Sequence, residues 1–204
     1  MRIAILDYGM GNLRSAEKAL EHVGARARVT QDPNEIRAAD GVVLPGVGAF
    51  PTAMAEVRRL GFDDLLRERL DAGAPVLGIC LGMQLLFERS SELGGADGLG
   101  LLEGSVESLP ANGLKVPQIG WNRVSWRRES ELAEGLPEPC AFYHVHSYAP
   151  RPAREEDVLG TAVYGAEFAT AVARPPLYGV QFHPEKSGPD GLRLLRNFVR
   201  ACAE

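Results

Sequence analysis

Apolar and polar positions divide the chain into two parts that predict different kinds of structure. Over roughly the first 90 residues, short apolar runs alternate with segments whose apolar side chains recur at helical spacing. The runs predict strands at 3–7, 26–30, 42–44 and 76–79, and the periodic segments predict helices at 13–23, 33–39, 51–60 and 65–70. This alternation predicts an α/β protein with a mostly parallel open sheet, flanking helices, and ligands at the carboxyl ends of the strands.

The rest of the chain is richer in β-type runs. After a glycine-rich loop at 94–104, such runs occupy 116–122, 140–148, 158–164, 169–173 and 177–182, and a helix at 192–199 follows them. We expect these strands to be antiparallel and to extend the same sheet. No repeat and no linker-like stretch interrupts the chain, so we expect a single domain over 1–204.

Composition and charge narrow the classes of function. Hydrophobic residues make up 45% of the chain and charged residues 24%, which is ordinary for a globular protein. A net charge of −5 without a basic block argues against a nucleic acid partner. No apolar run approaches the ~18 residues of a membrane span, and the N-terminus does not resemble a signal peptide. We therefore expect a cytoplasmic protein, and three cysteines without a C-x-x-C pair fit reduced thiols.

The stretch Gly78-Ile79-Cys80-Leu81-Gly82 is the most informative part of the sequence. It joins the predicted strand at 76–79 to residues whose helical spacing continues as far as Phe87, so Cys80 should lie at a strand-to-helix corner. Glycines two before and two after the cysteine allow such a sharp corner, as in the G-x-S-x-G nucleophile elbow. The start of a helix also favours the thiolate, which is the attacking form. The alternative is a buried structural cysteine.

His183 is the best candidate for a base to serve this nucleophile. Like Cys80, it follows an apolar strand, and Glu185 lies two residues later. In an extended segment these two side chains point the same way, and Pro184 restricts the backbone between them. A carboxylate bound to one imidazole nitrogen fixes the tautomer and leaves the other nitrogen for the thiol. The pattern predicts a Cys-His-Glu triad, against the alternative of a structural His-Pro turn with a surface glutamate.

An acyl-transfer site also needs donors for an oxyanion. One should be the N–H of Leu81, the residue after the nucleophile. The other should come from the end of the third predicted strand, where flanking glycines allow an N–H of Val47 or Gly48 to turn into the site. A peptide able to rotate there could serve as a switch, since losing one donor typically costs ~10²–10³ in rate.

Two further patterns could bind ligands. His144 and His146 form an H-x-H pair, but no third ligand is clearly spaced for a metal, so packing or substrate contact is favoured. Gly9 and Gly11 lie in a tight turn after the first strand, but the third glycine and the acidic residue of a dinucleotide site are missing. We expect neither a metal nor a cofactor.

The motifs around the triad resemble a known family. GICLGMQ at 78–84 together with GVQFHPEKSG at 179–188 resembles the triad-type, or class I, glutamine amidotransferases. Four motifs together are similar to the branch formed by glutaminase subunits of imidazole glycerol phosphate synthase: DYGMGN at 7–12, PGVGAF at 45–50, GWN at 120–122 and HPEKSG at 183–188. FYHVHSY at 142–148 is a further marker of the resemblance. The motifs span the chain from end to end, and the resemblance implies a flavodoxin-like α/β fold.

The resemblance also implies an activity and a partner. In this family the cysteine attacks the side-chain amide of glutamine, and the ammonia passes to a (β/α)₈ cyclase subunit that makes imidazole glycerol phosphate and an aminoimidazole carboxamide ribotide. The implied glutamine-binding residues are Gln84, His146, Ser147 and Tyr148, and the implied interface residues are Asn12, Trp121, Tyr143 and Lys186.

The sequence leaves three alternatives open. They are the glutaminase subunit of a different synthase, another cysteine hydrolase, and a non-catalytic regulatory or interaction protein. The segments at 94–104 and 129–139 carry no motif.

Overall fold

The computed structural model describes residues 1–203, which form two β-sheets and six α-helices. The strands are β1 Arg2–Leu6, β2 Arg26–Thr30, β3 Gly41–Leu44, β4 Val76–Ile79, β5 Phe87–Ser90, β6 Ala96–Asp97, β7 Leu102–Ser108, β8 Gln118–Trp126, β9 Cys140–His146, β10 Tyr148–Pro152, β11 Val158–Tyr164, β12 Ala166–Arg174 and β13 Leu177–Val180. The helices are α1 Leu13–His22, α2 Pro33–Ala38, α3 Phe50–Arg59, α4 Phe62–Asp71, α5 Leu81–Leu85 and α6 Gly188–Ala201.

The main sheet has nine strands in the order β2-β1-β3-β4-β13-β12-β11-β8-β9. Pairing is parallel from β2 to β13 and antiparallel from β13 to β9, so the prediction of a parallel sheet with an antiparallel extension is confirmed. Every residue of β3, β4 and β13 is buried, because helices cover both faces. Apolar residues of α1 and α6 pack on one face, and those of α2, α3 and α4 pack on the other.

A second, four-stranded sheet in the order β10-β7-β5-β6 is absent from the sequence-based prediction. The predicted helix begins at Leu81 as expected, but its predicted extension to Phe87 is wrong, since α5 ends at Leu85 and Phe87 begins β5. The main-chain N–H groups of Leu99 and Leu101 donate to the carbonyls of Leu85 and Leu86 (2.9 Å each), so a returning loop satisfies the helix end instead of another turn. A buried apolar segment cannot distinguish the two outcomes by periodicity.

Other predictions need smaller corrections. The 94–104 segment is not simply a loop, because it contains β6 and the start of β7. The predicted strand at 140–148 splits at Ser147, and its second half starts β10 in the other sheet. Asn12 is the residue before α1, and its side chain makes no capping hydrogen bond. Over residues 1–203 no helix combines the length and apolarity needed to cross a bilayer.

Candidate active site

Cys80 lies at the corner between β4 and α5, near the middle of the main sheet. Its backbone adopts φ 56° and ψ −113°, a strained conformation for a residue with a side chain. Such strain costs ~1–3 kcal/mol and clusters at functional sites. The Cys80 N–H donates to the Val180 carbonyl (2.8 Å), which joins the corner to β13.

The structure leaves no room for a side chain at Gly78 or Gly82, the glycines that flank Cys80, as the motif predicts. A Cβ on Gly82 would lie 1.7 Å from the carbonyl oxygen of Leu44, and a Cβ on Gly78 would lie 2.7 Å from the carbonyl oxygen of Gly82. Both positions have ordinary φ values, so it is the close approach of β3, β4 and α5 that demands glycine.

His183 and Glu185 come together immediately after β13. The Nδ1 atom of His183 lies 2.9 Å from Oε1 of Glu185, and both side chains are only 4% exposed. The segment is tied to β9, because the His183 N–H donates to the Tyr143 carbonyl (2.9 Å). Within the segment, the Ser187 hydroxyl donates to the His183 carbonyl (2.6 Å). The imidazole therefore has a fixed position beside the corner that carries the thiol.

The charge of His183 follows from its two neighbours. Burial alone would lower the pKa of the imidazole, but hydrogen bonds to Cys80 and Glu185, together with their negative charge, outweigh burial and raise its pKa to about 9. A raised pKa favours the protonated imidazole, which can act as the general acid beside a cysteine nucleophile.

The segment that follows β3 faces the same corner. Val47 is 44% exposed and Gly48 has φ +116°, a conformation that favours glycine. By contrast, the start of this segment is clamped: the Tyr8 hydroxyl donates to the Pro45 carbonyl (2.5 Å), and a Cβ on Gly46 would lie 2.2 Å from that hydroxyl. The oxyanion role expected of the peptide between Val47 and Gly48, and its ability to rotate, stay predictions.

A pocket of about 250 Å³ opens at this corner. Its wall is formed by Val47, Gly48, Cys80, Leu81, Gln84, Glu92, Pro117, Val145, His146, Ser147, Tyr148, His183 and Lys186. This wall brings together the nucleophile, the base, the expected oxyanion donors and the four expected glutamine-binding residues. The volume is slightly below that of pockets for drug-sized ligands, so it suits a small polar molecule.

The two strand histidines are satisfied within the core and stay neutral. Burial lowers the pKa of His144 to about 3 and that of His146 to about 4. His144 bonds the Thr170 hydroxyl (2.8 Å) and the Phe142 carbonyl (3.0 Å). Within residues 1–203 no cluster of three or more potential metal ligands is present.

The four expected interface residues lie in different parts of the structure. Lys186 is exposed and lines the pocket itself, whereas Asn12 is exposed beside a small cavity that also touches Glu185. Trp121 is 60% exposed on β8 and packs edge-to-face on Tyr143 of β9, with ring centroids 6.2 Å apart. Their role in an interface stays a prediction.

Sequence reasoning missed two residues of this site. Tyr8 lies two residues after the end of β1, but nothing in the sequence tells which loop its hydroxyl clamps. Gln181 is fully buried, and its Nε2 lies 3.8 Å from Sγ of Cys80. A signal did exist for Gln181, since it lies two residues before His183 at the end of a strand and so faces the same side.

A strained cysteine elbow facing a His-Glu pair on an α/β sheet defines a class of amide-transferring enzymes. The sequence model of that class, "Glutamine amidotransferase class-I", matches residues 4–202. The chain belongs to the class I glutamine amidotransferase family.

Comparison with individual relatives narrows the family further. The chain is 55% identical over 196 residues to imidazole glycerol phosphate synthase subunit HisH of Moorella thermoacetica, covering 96% of this chain and 93% of that protein. It is 52% identical to subunit HisH 1 of Pseudomonas aeruginosa, covering 97% and 95%. Within its class, the chain belongs with these HisH subunits.

Solved structures support the fold alone. The chain superposes on PurLQS from Thermotoga maritima with a TM-score of 0.78 at 18% identity, covering 98% of this chain and 97% of that one. A crystal structure of a glutamine amidotransferase gives a TM-score of 0.74 at 24% identity, covering 99% of each chain. The predicted class I glutamine amidotransferase-like architecture is confirmed.

Proposed function

We propose that this protein hydrolyses glutamine to glutamate and ammonia, and that it delivers the ammonia to a cyclase subunit of imidazole glycerol phosphate synthase in histidine biosynthesis. The observation that carries the proposal is the strained Cys80 elbow beside the buried His183–Glu185 pair, at the base of a pocket of amino-acid size. A structural cysteine would require neither the strain nor the charged partners.

The chemistry follows from the positions of the groups. The Cys80 thiolate attacks the side-chain amide carbon of glutamine, and the carbonyl oxygen becomes an oxyanion that accepts from the N–H of Leu81 and from the peptide between Val47 and Gly48. The His183 imidazolium gives its proton to the leaving nitrogen, so ammonia departs and a γ-glutamyl thioester remains. The now neutral His183 takes a proton from water, which hydrolyses the thioester and releases glutamate.

The pocket wall supplies the contacts for glutamine. We assign this role to Gln84, His146, Ser147 and Tyr148, all of which line the pocket. Lys186 and Glu92 add one charge of each sign to the same wall, which suits the α-carboxylate and α-ammonium groups of an amino acid.

A second protein is part of the proposal. Ammonia released into water is mostly protonated and loses its nucleophilic lone pair, so direct transfer has a chemical advantage. The relatives are named as subunits of imidazole glycerol phosphate synthase, and we assign Asn12, Trp121, Tyr143 and Lys186 to the surface that meets the cyclase. A cytoplasmic location is also proposed, because all three cysteines are free thiols and the reaction requires a reduced one.

Glutamine turnover with and without the cyclase tests the proposal. The isolated chain should release glutamate slowly. Adding the cyclase and its nucleotide substrate should raise the rate greatly, because docking next to the Val47–Gly48 peptide would complete the oxyanion site. A rate that does not respond to the cyclase would refute the partner assignment, and full activity in a His183→Ala variant would refute the catalytic one.

A further inference from the structure

The strongest unassigned feature of the site is the side chain of Gln181, which no motif assigns to catalysis. It is 0% exposed, and its Nε2 atom lies 3.8 Å from Sγ of Cys80, within hydrogen-bond range for sulfur. On another side of the sulfur, the Val145 carbonyl lies 3.7 Å away and can accept from the thiol but not stabilise the thiolate. The amide of Gln181 is thus a fixed donor aimed at the reacting atom.

The direction of this amide is dictated by its neighbours. The Tyr148 carbonyl can only accept, and it lies 3.1 Å from Nε2 of Gln84, so the Gln84 NH₂ group must face it. The same NH₂ group donates to Oε1 of Gln181 (3.0 Å). With its oxygen held by Gln84, Gln181 must turn its own NH₂ group toward Cys80.

The Tyr148 carbonyl is itself fixed by a neutral histidine. Nδ1 of His146 lies 2.8 Å from this carbonyl and must donate to it. Because burial keeps the ring neutral, its Nε2 then carries no proton, so the side-chain amide of Gln118, whose Oε1 lies 3.0 Å away, must present its NH₂ group to Nε2 instead. Gln118, His146, Gln84 and Gln181 are each at most 5% exposed, so water does not compete for these bonds.

We propose that Gln181 is a catalytic residue that stabilises the Cys80 thiolate through a hydrogen bond from its side-chain amide, with the donor direction set by Gln84, Tyr148 and His146. The inference rests on the proposed function and adds to it. The donor complements His183: the imidazolium loses its proton and its charge when it protonates the leaving nitrogen, whereas the Gln181 amide keeps its N–H beside the sulfur throughout. It can also stabilise the thiolate again when the thioester is hydrolysed and sulfur departs.

Alkylation of Cys80 by iodoacetamide as a function of pH tests the inference, with the Cys80 peptide quantified by mass spectrometry. Gln181→Met keeps the size of the side chain but removes the donor. Losing a hydrogen bond to a charged group should move the alkylation profile of this variant up by about one pH unit. The same loss should lower kcat/KM for glutamine about tenfold. Cys140 and Cys202 do not interfere, because burial raises the pKa of each thiol to about 12.

Two further variants separate the donor from general packing. Gln181→Glu retains the bond from Gln84 but places an acceptor near the sulfur, so its profile should move up further than that of Gln181→Met. Thr170→Val removes a buried hydrogen bond of the next strand without touching sulfur, so its profile should match wild type. Coincident profiles for wild type and Gln181→Met, or an equal shift in Thr170→Val, would overturn the inference.

Other ionisable groups around the sulfur stay the same in all these variants. They are Tyr8, Glu92, His146, His183, Glu185 and Lys186. A wild-type Cys80 that fails to react below about pH 8 would refute the proposed function itself, since a thiolate nucleophile is required. Normal wild-type reactivity with an unshifted Gln181→Met profile would refute only the role of Gln181.

Discussion

A methyl group added at Gly82 tests whether close packing at the elbow holds the nucleophile in place. The new Cβ would lie 1.7 Å from the Leu44 carbonyl oxygen, whereas real Cβ contacts shorter than 3.0 Å essentially do not occur. The backbones of α5 and β3 must therefore separate by at least 1.3 Å, the difference between the two distances. Leu44 is fully buried and pairs with Gly78 in the sheet, so neither backbone can move cheaply.

The size of the effect follows from this displacement. Overpacking of a rigid core costs about 3 kcal/mol, the upper end of the usual range. For a chain of this length that loss lowers Tm by about 6–12 °C. Misplacing a nucleophile by about 1 Å also costs on the order of 100-fold in kcat.

Gly73→Ala is the matched control for Gly82→Ala. Gly73 has φ +79° but no atom within 4 Å of an added Cβ, so the variant incurs only backbone strain of about 1 kcal/mol. In thermal melts the Tm of Gly82→Ala should lie well below that of Gly73→Ala. Glutamine turnover should fall only in Gly82→Ala. Equal losses of Tm, or wild-type kcat in Gly82→Ala, would refute the steric argument.

Three other perturbations have defined outcomes. The folded pKa of His183, about 9, exceeds the unfolded value of 6.5, so its stabilisation is complete below pH 6.5 and is lost as pH rises through 9. Urea unfolding should show the free energy of unfolding fall over this range, and His183→Gln should abolish the fall. Arg174 makes a bidentate pair (2.6 and 2.9 Å) with the Asp157 carboxylate, which is only 2% exposed. Arg174→Met leaves that carboxylate unpaired, so the free energy of unfolding should drop by ~3–5 kcal/mol. Adding Asp157→Asn to this variant should recover part of the loss. Tyr8→Phe removes the hydrogen bond to the Pro45 carbonyl, so kcat should fall several-fold with little change in KM. The free energy of unfolding should also fall by ~1–3 kcal/mol. An unchanged kcat would show that the Tyr8–Pro45 bond is not needed for activity.

The sequence predicted the parallel half of the fold well because burial on both faces leaves a simple pattern. Strands such as β3 and β4 are continuous apolar runs between amphipathic helices, and their order follows from the alternation. The second sheet could not be predicted in the same way. Phe87 belongs to β5 only because strands distant in sequence supply its backbone partners, and the loop after it satisfies the end of α5.

The candidate site shows the same division between local and distant information. The corner at Cys80 and the His183–Glu185 pair are each encoded within a few residues, and glycine spacing predicted the corner. The sequence also predicted the His183–Glu185 contact, but for an extended segment, whereas Pro184–Lys186 form a 3₁₀ turn that brings the two side chains together. Tyr8 and Gln181 escaped because their importance depends on hydrogen bonds to residues 37 and 101 positions away. Such partners become visible only when the strands are assembled.

Glutamate release by Cys80→Ala in the presence of the cyclase and its nucleotide substrate tests the central claim most directly. Removal of the sulfur leaves the pocket and the His183–Glu185 pair in place, so a folded variant should still bind the partner but show turnover no higher than the uncatalysed background. Folded Cys80→Ala protein that releases glutamate at the wild-type rate would contradict the account.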